Sequence, residues 1–393
     1  MNREEAEETL VNVPNPFILA EMPTGFGKSK LALDRMAKII EPNIGVKILI
    51  VIPRLVLIQN WIDEFNKWGY GTYLCLTEFV TYVSFPKKVG NYDLIIFDEV
   101  HHLSERCRES LGGFWMRNAI MLSATVGRDM RKELQHLFPN LYICRISTKS
   151  AIRDEVLPDP RVFLVPLVLN NTVANCEIVK NKSQKIEIRI PYHQRFNYSK
   201  VKNRRIVIEC TQRQYYDDIS SLISWYKKKM FSEVFKNMFL RKSGERLNWL
   251  SEQKTSFVKH LLMYVLKDQR TLTFCNGIPQ TEELGRYCVN SKNKESHENL
   301  NKFNSGRVNH ITACNMLDEG MNLVNCRVGV YATLNSSERM ITQKLGRLLR
   351  HPDPVLIIPY FKDTRDEEIV KKMVEDYNPE LVTVVTNLNQ LIL

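Results

Sequence analysis

The chain has 393 residues, 44% of them apolar, enough to build packed cores in two or three domains of ordinary size. Its formal net charge of +11 at pH 7 points to an anionic partner, either nucleic acid or an acidic membrane surface. No apolar run approaches the roughly 18 residues of a membrane span, and nine cysteines with no two within ten residues of each other exclude a Cys-x-x-Cys metal or redox clip.

An odd, scattered cysteine set reads as reduced thiols in an intracellular protein. The acidic, polar start Met1–Glu8 is neither a signal nor a transit peptide. Residues 1–16 read as a short helix and a Pro-bearing turn. Phe17–Ala20 is a short apolar run that predicts a buried strand, and Lys30–Ala37 predicts a helix with one apolar face. Between them lies Met22-Pro23-Thr24-Gly25-Phe26-Gly27-Lys28-Ser29. Strand, glycine-bearing loop ending in Gly-Lys-Ser, then helix is the setting of a phosphate-binding P-loop, with Met22 where the full pattern has Gly. Gly25 and Gly27 allow the backbone N–H groups to turn inward onto phosphate oxygens, and the helix start adds positive potential. Lys28 is expected to reach the β- and γ-phosphates and the Ser29 hydroxyl to hold Mg²⁺. Pro23 to Ser29 are therefore the expected ATP contacts.

Val46–Ile52 is a continuous β-branched run stopped by Pro53, as a strand buried on both faces requires. A helix carrying Trp61 and Phe65 follows, then Thr77–Ser84. The strand Tyr92–Phe97 ends in Asp98-Glu99-Val100-His101. An acidic pair at the carboxyl end of a parallel strand faces the same crevice as the phosphate loop. Asp98 can hold Mg²⁺, and Glu99 can orient or deprotonate the attacking water. The strand Ala119–Leu122 runs into Ser123-Ala124-Thr125, whose hydroxyls can bond His101 and sense the nucleotide. Arg128–Phe138 reads as a helix, and the first α/β unit closes near residue 150.

With phosphate loop, Asp-Glu-Val-His and Ser-Ala-Thr in this order, the chain resembles superfamily 2 helicases and translocases of the DExH type, in the type III restriction and DEAD-like group. Thr271–Asn276 with Thr281–Leu284 looks like motif IV, and Ile311–Asn322 like motif V. Gln343-Lys344-Leu345-Gly346-Arg347-Leu348-Leu349-Arg350 matches the motif VI pattern, Pro53-Arg54 with Gln59–Trp61 motif Ia, and Thr81-Tyr82 motif Ic. The resemblance implies two tandem RecA-like α/β domains with parallel sheets, residues 1–150 and 151–393, with ATP between them. It implies catalytic roles for Lys28, Asp98, Glu99, Gln343, Arg347 and Arg350, a further ATP contact at Gly320, and Mg²⁺ on Ser29 and Asp98. It also implies nucleic-acid contacts at Arg54, Thr81, Asn276 and Thr312, and coupling through His101, Ser123 and Thr125. No Gln precedes the phosphate loop, where the family carries one that reads adenine, and Asn322 stands where many relatives have Asp.

Arg347 and Arg350 are three apart and share a helix face. Buried cations need an anion, and the γ-phosphate is the obvious one. Residues 151–176 read as a linker with one strand, Val162–Pro166. The stretch 177–246 then holds 17 Lys and Arg against 7 Asp and Glu, nearly the whole charge excess of the chain, interleaved with aromatics. It is expected to be a basic helical insertion that contacts nucleic acid. Helical spacing places Trp225, Phe231, Phe235 and Phe239 in a core packed on the second sheet. The expected activity is an ATP-dependent DNA helicase or translocase. RNA as substrate, or an ATP-gated clamp or motor subunit of a restriction or defence complex, is the alternative.

Overall fold

Continuous apolar runs become central strands because parallel sheets are covered on both faces. The computed structural model describes residues 3–41, 45–195, 203–290, 292–314, 323, 326–334, 351–375 and 377–391. In the first half, the helix α1 (Arg3–Asn12) precedes β1 (Phe17–Glu21), α2 (Lys28–Ile39), β2 (Ile48–Ile52) and α3 (Leu57–Lys67). β3 (Thr77–Thr81), β4 (Gly90–Phe97), α4 (Glu105–Ser110), β5 (Phe114–Ser123), α5 (Arg128–Leu137), β6 (Tyr142–Arg145) and α6 (Thr148–Arg153) complete it.

The six strands form one parallel sheet in the order β3-β2-β4-β5-β1-β6. Alternation along each strand sorts its residues to two cores. Ile18, Ala20, Ile48, Ile50, Leu94, Ile96, Ile120 and Leu122 pack with Leu31, Met36 and Trp61 of α2 and α3. Leu19, Leu49, Val51, Ile95, Phe97, Ala119 and Met121 pack with Cys107 and Leu134 of α4 and α5. Arg35 is buried in this packing, and its guanidinium donates to Val11 O (2.7 Å) and Asn15 O (3.0 Å), which fastens the end of α1 and the turn after it to α2.

The second half opens with β7 (Arg161–Leu167). It continues with β8 (Cys176–Lys180), β9 (Glu187–Pro191), β10 (Arg205–Cys210), α7 (Gln212–Lys227) and α8 (Glu233–His260). β11 (Thr271–Phe274), α9 (Ile278–Leu284), β12 (Cys288–Val289), α10 (Ser296–Asn304), β13 (His310–Ala313), β14 (Val328–Tyr331), β15 (Val355–Phe361), α11 (Arg365–Val374) and β16 (Val382–Val384) follow. A second parallel sheet has the order β12-β13-β11-β14-β15-β7-β16. The strand expected in the linker is thus an interior member of this sheet, between β15 and β16.

The basic stretch is not wholly helical. β8, β10 and β9 make a separate three-stranded sheet, with β10 antiparallel to β8 and parallel to β9. α7, capped by Thr211 in a reciprocal bond with Gln214, lies against α8. α8 is a single helix of 28 residues, so it carries the chain past residue 246 without a break. Its far end locks onto the second sheet. Lys254 Nζ donates to Asp366 Oδ2 at 2.9 Å with both side chains essentially unexposed, and Ser251 Oγ donates to Thr333 Oγ1 at 2.9 Å. The core placement expected for the insertion aromatics is overturned at its near end. Phe231 is 89% and Trp225 45% exposed, and Phe235 and Phe239 are half-buried. Trp225 lies edge-on to Phe235 at 5.6 Å, and Lys229 Nζ is 3.9 Å from the Trp225 ring centre.

Candidate nucleotide site and nucleic-acid surface

Three adjacent strands, β4, β5 and β1, end at one level. Phe97 and Leu19 both pair with Met121, and Glu21 pairs with Ser123. The acidic pair after β4, the Ser-Ala-Thr turn after β5 and the phosphate loop after β1 therefore share one edge of the sheet. Gly25 and Gly27 adopt φ of 93° and 102°, the left-handed region a glycine enters without strain. Phe26 between them is fully buried, so it anchors the loop from below. α2 begins at Lys28, and the lysine Nζ donates to Met22 O at 3.1 Å and to Pro23 O at 3.5 Å. The ammonium is folded back over its own loop, and Ser29 sits in the first turn of the helix.

The Asp98 carboxylate is held by the Trp61 indole, whose Nε1 donates to Oδ2 at 3.0 Å. Its carbonyl accepts from the Tyr82 hydroxyl at 2.8 Å. Loss of solvent, then the neighbouring Glu99 charge, push the Asp98 pKa up to about 6 against the opposing pull of Trp61 and Lys28. Burial first, and the Asp98 charge second, raise the Tyr82 phenol well above its ordinary range. Glu99 takes φ of 49°, an uncommon left-handed conformation for a non-glycine residue, and this turns the chain sharply out of β4.

His101 Nδ1 lies 3.0 Å from Ser123 Oγ and 3.4 Å from Glu99 Oε2. Ser123 Oγ in turn lies 3.0 Å from Thr125 O and accepts from Thr125 N at 3.3 Å, which ties the ring to the Ser-Ala-Thr turn. Among the described residues, His101 Nε2 and Thr125 Oγ1 are buried and have no hydrogen-bond partner.

Of the expected nucleic-acid contacts, Arg54 is exposed after β2, and Thr81 is half-buried with its hydroxyl on Ser84 Oγ at 3.3 Å. Asn276 follows β11 at the sheet edge. Its N–H donates to Gln280 Oε1 at 3.0 Å, and its side chain bonds Asn248 of α8. Thr312 is a correction. It is 1% exposed inside β13, and its hydroxyl donates to Thr281 O at 2.9 Å, so no surface is left for a ligand. Gly320, Gln343, Arg347 and Arg350 lie outside the described residues. Sequence reasoning gave no role to Trp61, Glu21 or Arg131 at this edge; each meets its partner across a long chain separation, which no local spacing announces. Among the described residues no group of His, Cys, Asp and Glu could hold a metal ion by itself, and no helix is long and apolar enough to cross a membrane.

Residues 4–82 match the family described as type III restriction enzyme, res subunit, and residues 253–352 match the helicase conserved C-terminal domain. The chain is 24% identical over 382 residues to the DNA 3′-5′ translocase XPB2 of Sulfurisphaera tokodaii, covering 91% of this chain and 78% of that protein. Among solved structures it is similar to a Saccharomyces cerevisiae Dbp5 variant bound to RNA and ADP BeF3. That likeness has TM-score 0.62, 12% identity, and covers 98% of this chain and 89% of the other. The Pyrococcus furiosus Hef helicase domain is similar at TM-score 0.50 and 14% identity, over 94% and 97% of the two chains. At such identities the structural likeness speaks for the fold alone. The two family matches, the relative and the paired parallel sheets together support an ATP-hydrolysing helicase or translocase of superfamily 2, with the two tandem RecA-like α/β domains of that fold.

Proposed function

We propose that this protein is an ATP-driven motor that moves on DNA. Residues 1–150 form its first RecA-like domain and residues 151–393 its second. Supporting this division, the strands of the six-stranded sheet fall within 17–145 and those of the seven-stranded sheet within 161–384. One observation carries the reading: the phosphate loop, the acidic pair and the Ser-Ala-Thr turn end three neighbouring strands at one level.

ATP binds with its phosphates over Gly25 to Ser29. Lys28 leaves its two carbonyl partners for the β- and γ-phosphates, so the loop is already folded around the cation it will lend. The donor set fits a hard divalent cation: a serine hydroxyl, a carboxylate and phosphate oxygens. Ser29 and Asp98 would hold Mg²⁺, which offsets phosphate charge as it develops. Glu99 takes the proton of the attacking water, and its left-handed backbone aims the side chain out of the strand. Arg347 and Arg350 come to the γ-phosphate from the second domain; such a residue contributes roughly 10³–10⁵ in rate. His101 Nε2 and Thr125 Oγ1 are buried polar groups without a hydrogen-bond partner, suited to report what lies across the cleft, and Gln343 is the group we propose to answer them.

DNA is favoured over RNA by the relative named a DNA translocase. Arg54, Thr81 and Asn276 at the sheet edges are the proposed contacts in both domains. The Lys-rich, aromatic end of α7 and α8 is a third, with phosphates taken by Lys227, Lys228 and Lys229 and bases by Trp225 and Phe231. Displacement of streptavidin from end-biotinylated single-stranded DNA tests movement. ATP-dependent release from one end only is expected. Binding that follows ATP without release would favour a gated clamp, and release from RNA but not DNA would change the substrate.

A further inference from the structure

Glu21 is the last residue of β1 and stands one position before the phosphate loop, with its side chain 3% exposed. A buried carboxylate persists only where donors replace its water. Two donors do so here, with a third charge outside hydrogen-bonding geometry beside them. Val126 N donates to Oε1 at 3.2 Å, directly after the Ser-Ala-Thr turn. Arg131 Nη2, from α5, donates to Oε2 at 2.9 Å and to Oε1 at 3.2 Å. Arg145 Nε, at the end of β6, lies 3.5 Å from Oε1 with a largely exposed side chain. Arg131 Nη2 also donates to Val126 O at 2.8 Å. Both backbone polar groups of Val126 are thereby tied to one carboxylate–guanidinium pair.

The clamp joins two parts of the site. On one side, Met22 follows Glu21, its N–H donates to Ser123 O at 2.9 Å, and its carbonyl supports Lys28. On the other, Val126 ends the turn whose Ser123 bonds His101, which in turn lies beside Glu99. A buried ion pair adds little net stability over an apolar replacement, so stability does not account for a carboxylate at a strand end whose neighbours are Leu19 and Ala20.

We infer that Glu21 is a positioning residue for hydrolysis. It fixes the Ser123–Val126 turn against the phosphate loop, and through Ser123 and His101 it keeps Glu99 in register with the γ-phosphate. The inference rests on the reading that ATP is hydrolysed at Lys28, Asp98 and Glu99.

The test is steady-state, DNA-saturated ATP turnover of the full chain, measured well below each variant's melting temperature. Glu21→Ala removes both the charge and the acceptor. Glu21→Gln keeps an acceptor for Val126 N. Arg131→Ala frees Val126 O and leaves the Val126 N–H bond, and Arg145→Ala is the control. Displacing a catalytic group by about 1 Å can cost on the order of 100-fold. The expected result is a kcat loss on the order of 30-fold for Glu21→Ala with KM for ATP within about 3-fold. Glu21→Gln should retain kcat within about 5-fold, Arg131→Ala should fall between them, and Arg145→Ala should match the parent. A folded Glu21→Ala with parental kcat overturns the role, as does a loss seen only in KM. Should Glu21→Ala fail to fold, Arg131→Ala decides, and parental kcat there is equally fatal. An unmodified chain without turnover would remove the ATPase reading together with this role; normal turnover in all four variants removes this role alone.

Discussion

Acidification should silence this enzyme through Asp98 at a pH where an ordinary carboxylate is still ionised. The group is raised from 3.8 to about 6 by lost hydration and by Glu99. Because the folded value lies above the unfolded one, the protonated form is the one folding favours. That contribution is present below about pH 4 and disappears as pH rises through about 6. The ionised form is the one a divalent cation takes, so catalysis runs the other way. With an apparent value near 6, about 97% of the group is ionised at pH 7.5, half at pH 6 and about 9% at pH 5. The kcat/KM for ATP with Mg²⁺ should therefore fall about tenfold between pH 7.5 and 5.0, whereas an unshifted Asp would cost less than about 10%. The apparent value belongs to the Asp98–Glu99 pair as a unit. The assay is kcat/KM over pH 5–8 at constant ionic strength. Trp61→Phe deletes the indole donor that favours the ionised form, and a hydrogen bond to a charged group is worth about 1.5–3 kcal/mol. The acid limb should then move up by about one unit or more. A profile flat to pH 5, or a limb unmoved by Trp61→Phe, would refute the reasoning.

Lys28→Ala should abolish ATP turnover while DNA binding, measured by fluorescence anisotropy, stays within a few-fold; loss of both would assign the loop to the fold or to DNA. Arg350→Ala should leave ATP affinity within a few-fold and remove turnover, as a stopped-flow binding and turnover pair would report; normal turnover excludes it as the arginine supplied to the γ-phosphate. Reversing the charge of Lys227, Lys228 and Lys229 should weaken DNA binding and flatten the slope of log affinity against log salt; an unchanged slope leaves that end as solvated surface. Lys254→Met strands the fully buried Asp366 carboxylate and should cost about 3–5 kcal/mol, read by denaturant unfolding of the second domain through Trp249 fluorescence. A loss under about 1 kcal/mol would mean that the pair is better hydrated than its exposure indicates.

Much of the site was legible because its local chemistry is local in sequence. A phosphate loop needs glycines with positive φ next to Lys and Ser, and all four fall within five positions. Parallel strands buried on both faces show as runs such as Ile48–Ile52. Long-range partners left no such trace: Glu21 reads as the polar end of a strand, and its guanidinium partner is 110 residues away. Trp61 reads as a core aromatic of α3, yet its N–H serves Asp98. The insertion misled for two reasons. Its strands are short, and Glu187–Pro191 alternates charged with apolar residues, so the charge count hid it. α8 meets solvent at one end and the second sheet at the other, so it shows no single apolar stripe and its aromatics read as core. Thr312 carried a motif signature, but its β13 position turns the hydroxyl inward.

The most direct measurement is ATP turnover alone and with saturating single-stranded DNA, duplex DNA or RNA at one salt concentration. Stimulation of at least about tenfold by a DNA substrate, exceeding that by RNA and absent in Lys28→Ala, is the expected result. Equal turnover with and without every nucleic acid would contradict a motor whose ATP site and DNA surfaces are coupled.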